Sequence, residues 1–146
     1  MVMRVYGGPA ADINIIKKEK ESMEMEFYRC VHCGQIVEVV KKTGAQLVCC
    51  GEAMQKIEPG TTDASVEKHV PVISVDGNTV TVTVGSVEHP MAPEHYIMWI
   101  ALATKEGFQR KALKAGDPPT VVFALTDGDE VEAAYAYCNL HGLWKS

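Results

Sequence analysis

The residue types that bind metals fall into two separate sets along this chain, and this division constrains its fold most strongly. Four of the five cysteines lie together near the N-terminus, and four of the five histidines lie in the later part of the chain, which also contains the remaining cysteine. The first set is Cys30, Cys33, Cys49 and Cys50, and the second is His69, His89, His95, Cys138 and His141. This division predicts two metal sites, one all-sulfur and one mostly nitrogen.

The composition limits the classes of protein to which the chain can belong. Its 146 residues are 47% hydrophobic and 23% charged, which predicts a soluble globular protein of one ordinary domain or two small ones. The net charge of -5 argues against nucleic-acid binding, because phosphates require a basic surface. No run approaches the roughly 20 apolar residues of a membrane span. The N-terminus also lacks the apolar core of a secretory signal.

These features predict a cytoplasmic protein. Thiols stay reduced in the cytoplasm, so five cysteines indicate metal ligation or redox chemistry before disulfide bonds. The odd number of cysteines also fits poorly with a simple disulfide framework.

The chain divides into three parts. Residues 1–25 contain a Gly-Gly-Pro stretch and a run of charges, and we predict a solvated extension without an assigned function. Residues 26–60 form a compact unit with predicted strands at residues 36–40 and 46–48, joined by a turn. About 30 residues bury too little apolar surface to fold alone, so a bound metal would stabilise this unit. A polar segment containing Pro-Gly leads to a second domain, residues 64–146.

The second domain is predicted to be all-β. Residues 79–84 alternate threonine with valine, which indicates a strand with one buried face, and residues 76–78 are a hairpin turn signal. Residues 96–102 are nearly all apolar, as in a central strand covered on both faces. Further strands are predicted at residues 120–125 and 132–137. Short strands at this spacing predict an antiparallel β-sandwich.

The all-sulfur set has the spacing of a tetrahedral site. Cys30 and Cys33 are separated by two residues, and the second pair, Cys49 and Cys50, is adjacent and therefore predicts a distorted tetrahedron. Spacing favours a mononuclear iron site, while a structural zinc site and an unmetallated or disulfide-bearing loop remain alternatives. His32, inside the first loop, is predicted to be an exposed residue and not a ligand.

The nitrogen-rich set is predicted to lie at strand ends or in the connections between strands. His89 follows the alternating strand, His95 precedes the next one, Cys138 and His141 end the last strand, and His69 lies at the start of the domain. Five ligands exceed the four of a structural zinc site and leave one octahedral position open. Imidazoles and a thiolate with an open position suggest a redox metal that reacts with a small oxygen species.

These residues resemble the desulfoferrodoxin family, the two-iron class of superoxide reductases, over about residues 26–145. The matching stretches are residues 30–34 (CVHCG), 49–52 (CCGE), 67–71 (EKHVP), 89–91 (HPM) and 137–142 (YCNLHG). The resemblance implies a desulforedoxin-like N-terminal domain with a four-cysteine iron site. It also implies an immunoglobulin-like β-sandwich whose catalytic iron has four equatorial histidines and the axial ligand Cys138.

The implied reaction is one-electron reduction of superoxide to hydrogen peroxide. A rubredoxin-like protein would donate the electron, and the family is usually homodimeric. Lys68 would attract superoxide and Glu67 would ligate the oxidised iron after product release. Backbone N–H groups near Asn139 and Leu140 would hydrogen-bond the sulfur of Cys138. The four-cysteine iron would be an electron relay or a structural site.

Three rival functions remain open at this point. A zinc ribbon fused to a sandwich could serve as a binding module, and an iron protein could transfer electrons without catalysis. A superoxide dismutase would differ by releasing oxygen. Tyr96, Trp99 and Trp144 are predicted to be core or interface packing residues and not parts of an electron path.

Overall fold

The computed structural model describes residues 24–146. The predicted extension therefore lies outside the described residues, apart from its last two positions. Of these, Met25 is 7% exposed and packs in the same apolar cluster as Phe27. The carboxylate of Glu24 accepts a hydrogen bond from Lys145 at 2.8 Å. These two residues thus belong to the packed body of the protein.

The described residues form twelve β-strands and one short helix. In chain order these are β1 (Phe27–Arg29), β2 (Ile36–Glu38), β3 (Val48–Cys49), β4 (Glu52–Ala53), β5 (Gln55–Ile57), α1 (Val66–His69), β6 (Pro71–Asp76), β7 (Thr79–Val84), β8 (Ile97–Thr104), β9 (Phe108–Ala112), β10 (Thr120–Ala124), β11 (Val131–Cys138) and β12 (Gly142–Lys145). No helix in residues 24–146 is long and apolar enough to cross a membrane.

The N-terminal unit contains a three-stranded sheet in the order β2-β1-β5 and a separate hairpin of β3 and β4. Residues 36–40 and 46–48 were predicted to be two strands joined by a turn, but the observed strands do not pair with each other: β2 pairs with β1, and β3 pairs with β4. The reason lies on β1, where Phe27 is buried and holds the strand at the centre of the sheet. Cys50 and Gly51 both have positive φ, at 53° and 75°, so the chain reverses at once after β3.

The second domain is the predicted antiparallel β-sandwich. One sheet has the order β10-β7-β6 and the other has the order β12-β11-β8-β9. The hairpin turn predicted at residues 76–78 joins β6 to β7, and the valines of β7 are completely buried between the sheets. The strands at the two edges of the second sheet, β9 and β12, are short and were not predicted from the sequence.

The first unit covers the outer face of the second sheet. Ile100 and Leu102 of β8 point into the sandwich core, while Ala101 and Ala103 belong to the cluster that includes Phe27. The rings of Phe27 and Trp99 lie 4.9 Å apart, and Trp99 stacks on Tyr137 at 5.6 Å. This cover on both faces explains the continuous apolar run of β8. Trp99 is an interface residue, as predicted.

Candidate metal centres

Five short segments bring the nitrogen-rich set together at one end of the sandwich. His69 is the last residue of α1, His89 lies in the loop after β7, and His95 forms an isolated bridge with Ala92 before β8. Cys138 ends β11, and His141 lies in the turn that leads into β12. All five residues therefore lie at strand ends or in connections, as expected, but β11 is not the last strand, because β12 follows His141.

The donor atoms of these five residues all lie within 4.8 Å of one another. The four imidazole rings form a square in which neighbouring centroids are 4.6–4.9 Å apart and neighbouring planes cross at 78–88°. His69 and His95 occupy opposite corners, 6.3 Å apart. Four rings in this arrangement can direct one nitrogen each towards a common centre.

Backbone carbonyls determine which nitrogens face that centre. Nδ1 of His69 lies 2.6 Å from the carbonyl oxygen of Ser65, and Nδ1 of His89 lies 2.6 Å from that of Pro90. A carbonyl only accepts, so each Nδ1 carries the proton and each Nε2 presents a lone pair. The two Nε2 atoms are 3.2 Å apart, and Nε2 of His69 is 2.9 Å from Nδ1 of His141. Two lone pairs at this distance repel each other unless a cation lies between them.

The ionisation of the rings supports a bound cation in place of a shared proton. Burial lowers the pKa of His69, His89 and His95, and it lowers the pKa of His89 to about 4. Nε2 of His95 is buried and has no hydrogen-bond partner among the described residues. A metal about 2.1 Å from two adjacent nitrogens places them about 3.0 Å apart, close to the spacing of the ring nitrogens here. The donor set therefore fits an iron ion.

Cys138 is completely buried beside the four rings, with Sγ 3.8 Å from Nδ1 of His141. Burial raises the pKa of its thiol, while the backbone N–H groups of His141 and Leu140 lower it. The expected N–H groups near Asn139 and Leu140 are thus those of Leu140 and His141, whereas the backbone N–H of Asn139 itself donates to the carbonyl of Tyr96.

Glu67 and Lys68 are exposed on α1, directly before His69. The hydroxyl of Ser65 and the backbone N–H of Glu67 hold the pKa of the Glu67 carboxyl below its usual value. The carbonyl of Glu67 accepts a 3.0 Å hydrogen bond from the backbone N–H of Val87, so the loop after β7 supports this turn. One cation and one anion are thereby presented to solvent next to the square of imidazoles.

The four remaining cysteines form the second donor group, with sulfurs within 4.8 Å of one another and all thiols free. Sγ of Cys33 lies 3.7 Å from Sγ of Cys49, which lies 3.9 Å from Sγ of Cys50. A tetrahedral metal with bonds of about 2.3 Å places sulfurs about 3.8 Å apart. Cys50 is the single non-glycine residue with positive φ among residues 24–146. This strain agrees with the distortion expected of an adjacent pair.

The four thiols differ in how easily they ionise. The backbone N–H of Cys33 lowers the pKa of Cys30 to about 6, whereas contacts with Cys30 and Cys33 raise the pKa of Cys49 to about 12. Cys30 is therefore the thiol that the surrounding backbone most favours as a thiolate. His32 is exposed and outside the donor group, as predicted, but it also contacts the carboxylate of Glu52 at 2.6 Å.

Trp144 contacts the nitrogen-rich group in a way that the sequence analysis did not identify. Its ring stacks on His69 with centroids 4.8 Å apart and an interplanar angle of 28°. Its Nε1–H donates to the carbonyl of His141 at 3.1 Å. Trp144 was predicted to be a packing residue, and no spacing rule would have paired it with a histidine 75 positions away.

Two family profiles match nearly the whole described chain. The profile described as "Desulfoferrodoxin, N-terminal domain" matches residues 22–57, and the profile "Desulfoferrodoxin" matches residues 61–146. The chain belongs to the desulfoferrodoxin family. The four-cysteine group and the group of four histidines and one cysteine fit the two iron sites of this family.

Individual relatives agree over the same region. A desulfoferrodoxin homolog of Archaeoglobus fulgidus is 52% identical over 84% of this chain and 96% of its own length. The desulfoferrodoxin of Nitratidesulfovibrio vulgaris is 50% identical over the same shares of both chains. The crystal structure of the superoxide reductase from Treponema pallidum matches with a TM-score of 0.72 and 43% identity, over 85% of this chain and 99% of that one.

Proposed function

We propose that this chain is a superoxide reductase that converts superoxide, one electron and two protons into hydrogen peroxide. One observation carries the proposal: four imidazoles form a square beside a buried thiol, next to an exposed lysine. Relatives that carry the name superoxide reductase support it, among them the Treponema pallidum protein and a Thermococcus kodakarensis protein that is 35% identical over 63% of this chain.

The proposed ligands follow from the two donor groups. We assign the four histidines and Cys138 to one iron, which these five donors would hold together. The four-cysteine group would hold the second iron. The proposed domain boundaries are residues 26–60 for that unit and residues 64–146 for the catalytic sandwich. Iron bound by the five donors would supply the electron that superoxide receives.

The chain's own residues prepare the site for an anionic substrate. Nδ1 of His69 and Nδ1 of His89 donate to backbone carbonyls, which directs both Nε2 lone pairs towards the metal and keeps the rings from turning. Cys138, a buried sulfur donor, would make a bound iron more electron-rich than nitrogen donors alone would. Lys68, a compact and exposed cation, attracts superoxide, and Glu67 is a carboxylate ligand available after the product leaves.

Several further features stay predictions. The four-cysteine iron is an electron relay or a structural site, and a small protein such as rubredoxin is the expected donor. A homodimer is expected, which sedimentation of the purified protein would test. The cytoplasmic location also stays a prediction.

The product ratio separates the proposed activity from its rivals. Reduced, iron-loaded protein mixed with a superoxide pulse should form one hydrogen peroxide per superoxide consumed and release no oxygen. A dismutase would form half as much peroxide and would release oxygen, and an electron carrier or a zinc-binding module would not consume superoxide. Either result would refute the proposal.

The role of Lys68 has its own test. Lys68→Ala should lower the second-order rate with superoxide several-fold, up to about tenfold, because electrostatic steering acts on association. Raising the ionic strength should reduce the difference from wild type, since salt screens exposed charges. Lys41→Ala removes the same charge from an exposed position in the first unit and should leave the rate unchanged. Equal rates for the Lys68 variant and wild type at low salt would contradict the steering role.

A further inference from the structure

His95 differs from two other members of the imidazole square in how its ring is held. The rings of His69 and His89 each donate from Nδ1 to a backbone carbonyl. Within residues 24–146, neither ring nitrogen of His95 makes a hydrogen bond. Its backbone is paired only with Ala92, through two hydrogen bonds of 3.0 Å. The position of this ring therefore depends on the segment that carries it and on its contacts with the rings of His89 and His141.

Asn139 binds that segment on both sides of His95. Its side-chain oxygen accepts from the backbone N–H of Tyr96 at 2.9 Å, and its side-chain nitrogen donates to the carbonyl of Glu94 at 3.0 Å. Its own backbone N–H donates to the carbonyl of Tyr96 at 3.2 Å. The orientation of the amide is determined by these partners, because a backbone N–H only donates and a carbonyl only accepts.

Asn139 also adjoins the sulfur end of the site. It follows Cys138 directly in the chain, and its side-chain oxygen lies 4.0 Å from Sγ of that residue. One half-buried amide therefore joins the turn that carries the thiol to the segment that carries His95. A shift of this turn moves both donors together instead of separating them.

We propose that Asn139 is a positioning residue that holds the His95 imidazole at a defined place relative to the Cys138 sulfur. The carbonyls of Ser65 and Pro90 hold the rings of His69 and His89 by direct hydrogen bonds, whereas Asn139 holds His95 through the backbone on either side of it. Loss of the amide releases the Glu94–Tyr96 segment, so the fourth corner of the square becomes variable. The inference rests on the five donors sharing one iron, and it does not require superoxide to be the substrate.

The test compares Asn139→Ala and Asn139→Asp in the iron-loaded full chain, oxidised for electron paramagnetic resonance. Asn139→Ala should broaden and shift the ferric signal of the five-donor centre and should speed iron loss to a chelator at least tenfold, about 1.4 kcal/mol. Asn139→Asp keeps the acceptor for Tyr96 and loses the donor to Glu94, so it should show a smaller change of the same kind. The four-cysteine signal is the internal reference and should not change.

Asn78→Ala is the matched control. Asn78 lies in the turn between β6 and β7, at the end of β7 away from the loop to His89. Its side chain donates a hydrogen bond to the carboxylate of Asp127. This variant should leave both iron signals and both release rates at wild-type values. A similar shift in the Asn78 variant would show that any lost amide disturbs the site, and it would overturn the assignment.

A double-mutant cycle separates positioning from general stability. Once His95→Ala has removed the ring, Asn139→Ala should cause no further acceleration of iron release, because nothing remains to be positioned. Additive effects would overturn the proposal, and so would wild-type spectra and release rates in both Asn139 variants. A chain that shows the expected spectral changes without superoxide consumption would refute the proposed activity and leave the role of Asn139 intact.

Discussion

Gly85 offers the sharpest test of how the loop after β7 supports the metal site. Its φ is +84°, and a Cβ built there would overlap the carbonyl oxygen of Val87. The same Cβ would lie 2.8 Å from the carbonyl oxygen of Lys68 and 2.9 Å from that of Glu67. These three atoms are backbone, so no side chain can turn away to make room. Gly85→Ala must therefore displace the turn that precedes His69.

The expected loss of stability has two parts. A positive φ costs an alanine roughly 1–2 kcal/mol. Displacing the turn also weakens the hydrogen bonds from Gly85 to Val70 and from Val87 to Glu67, at about 1 kcal/mol each. The sum is about 3–4 kcal/mol, and iron affinity should fall as well because His69 moves with the turn. Urea unfolding of the metal-free protein measures the first effect, and competition with a chelator measures the second.

Gly128 is the matched control for backbone strain. Its φ is +86°, and no heavy atom lies within 4 Å of the Cβ built there. Gly128→Ala should lose roughly 1–2 kcal/mol from strain alone and keep the wild-type iron affinity. Equal losses of stability in the two variants, with equal iron affinities, would refute the argument that the loop supports the site by close contact.

Two further predictions concern Trp144, which stacks on the imidazole square, and His89, which belongs to it. Trp144→Ala should destabilise the protein by about 3–5 kcal/mol and weaken iron binding. Trp144→Phe keeps the stacking on His69 and should lose mainly the hydrogen bond to the carbonyl of His141. Unfolding measures the stability of the two variants and chelator competition their iron affinity; equal iron affinities in both would contradict the contact with His69. The metal-free protein should lose about 3 kcal/mol as the pH falls from 6.5 to 4, because the pKa of His89 is lowered to about 4 and the unfolded chain binds the proton first. The neutral His89 ring gives its full contribution to stability above pH 6.5. Urea unfolding of His89→Gln between pH 4 and 6.5 should lack this loss of stability, and a pH dependence equal to that of the wild type would contradict the prediction.

Local patterns predicted some elements of the fold and misassigned others. The alternation in β7 and the apolar run of β8 identified both strands, because each reflects the faces that a strand buries. The partner of β2 could not be obtained in this way. The β-branched residues at 36–40 indicate a strand but do not identify its partner, which is β1, the strand that carries the buried Phe27 next to Trp99.

The sequence alone determined the donor types of the two sites, because the type of a donor atom is a property of each residue. Close spacing, as in Cys30 and Cys33, also brings neighbouring donors together without long-range contacts. Only the tertiary structure decided how His69, His89 and His95 meet, which ring nitrogen each presents and how Asn139 holds the last of them. These features depend on contacts between segments far apart in the chain, and the free energy of such contacts comes from strand pairing and burial that no local pattern records.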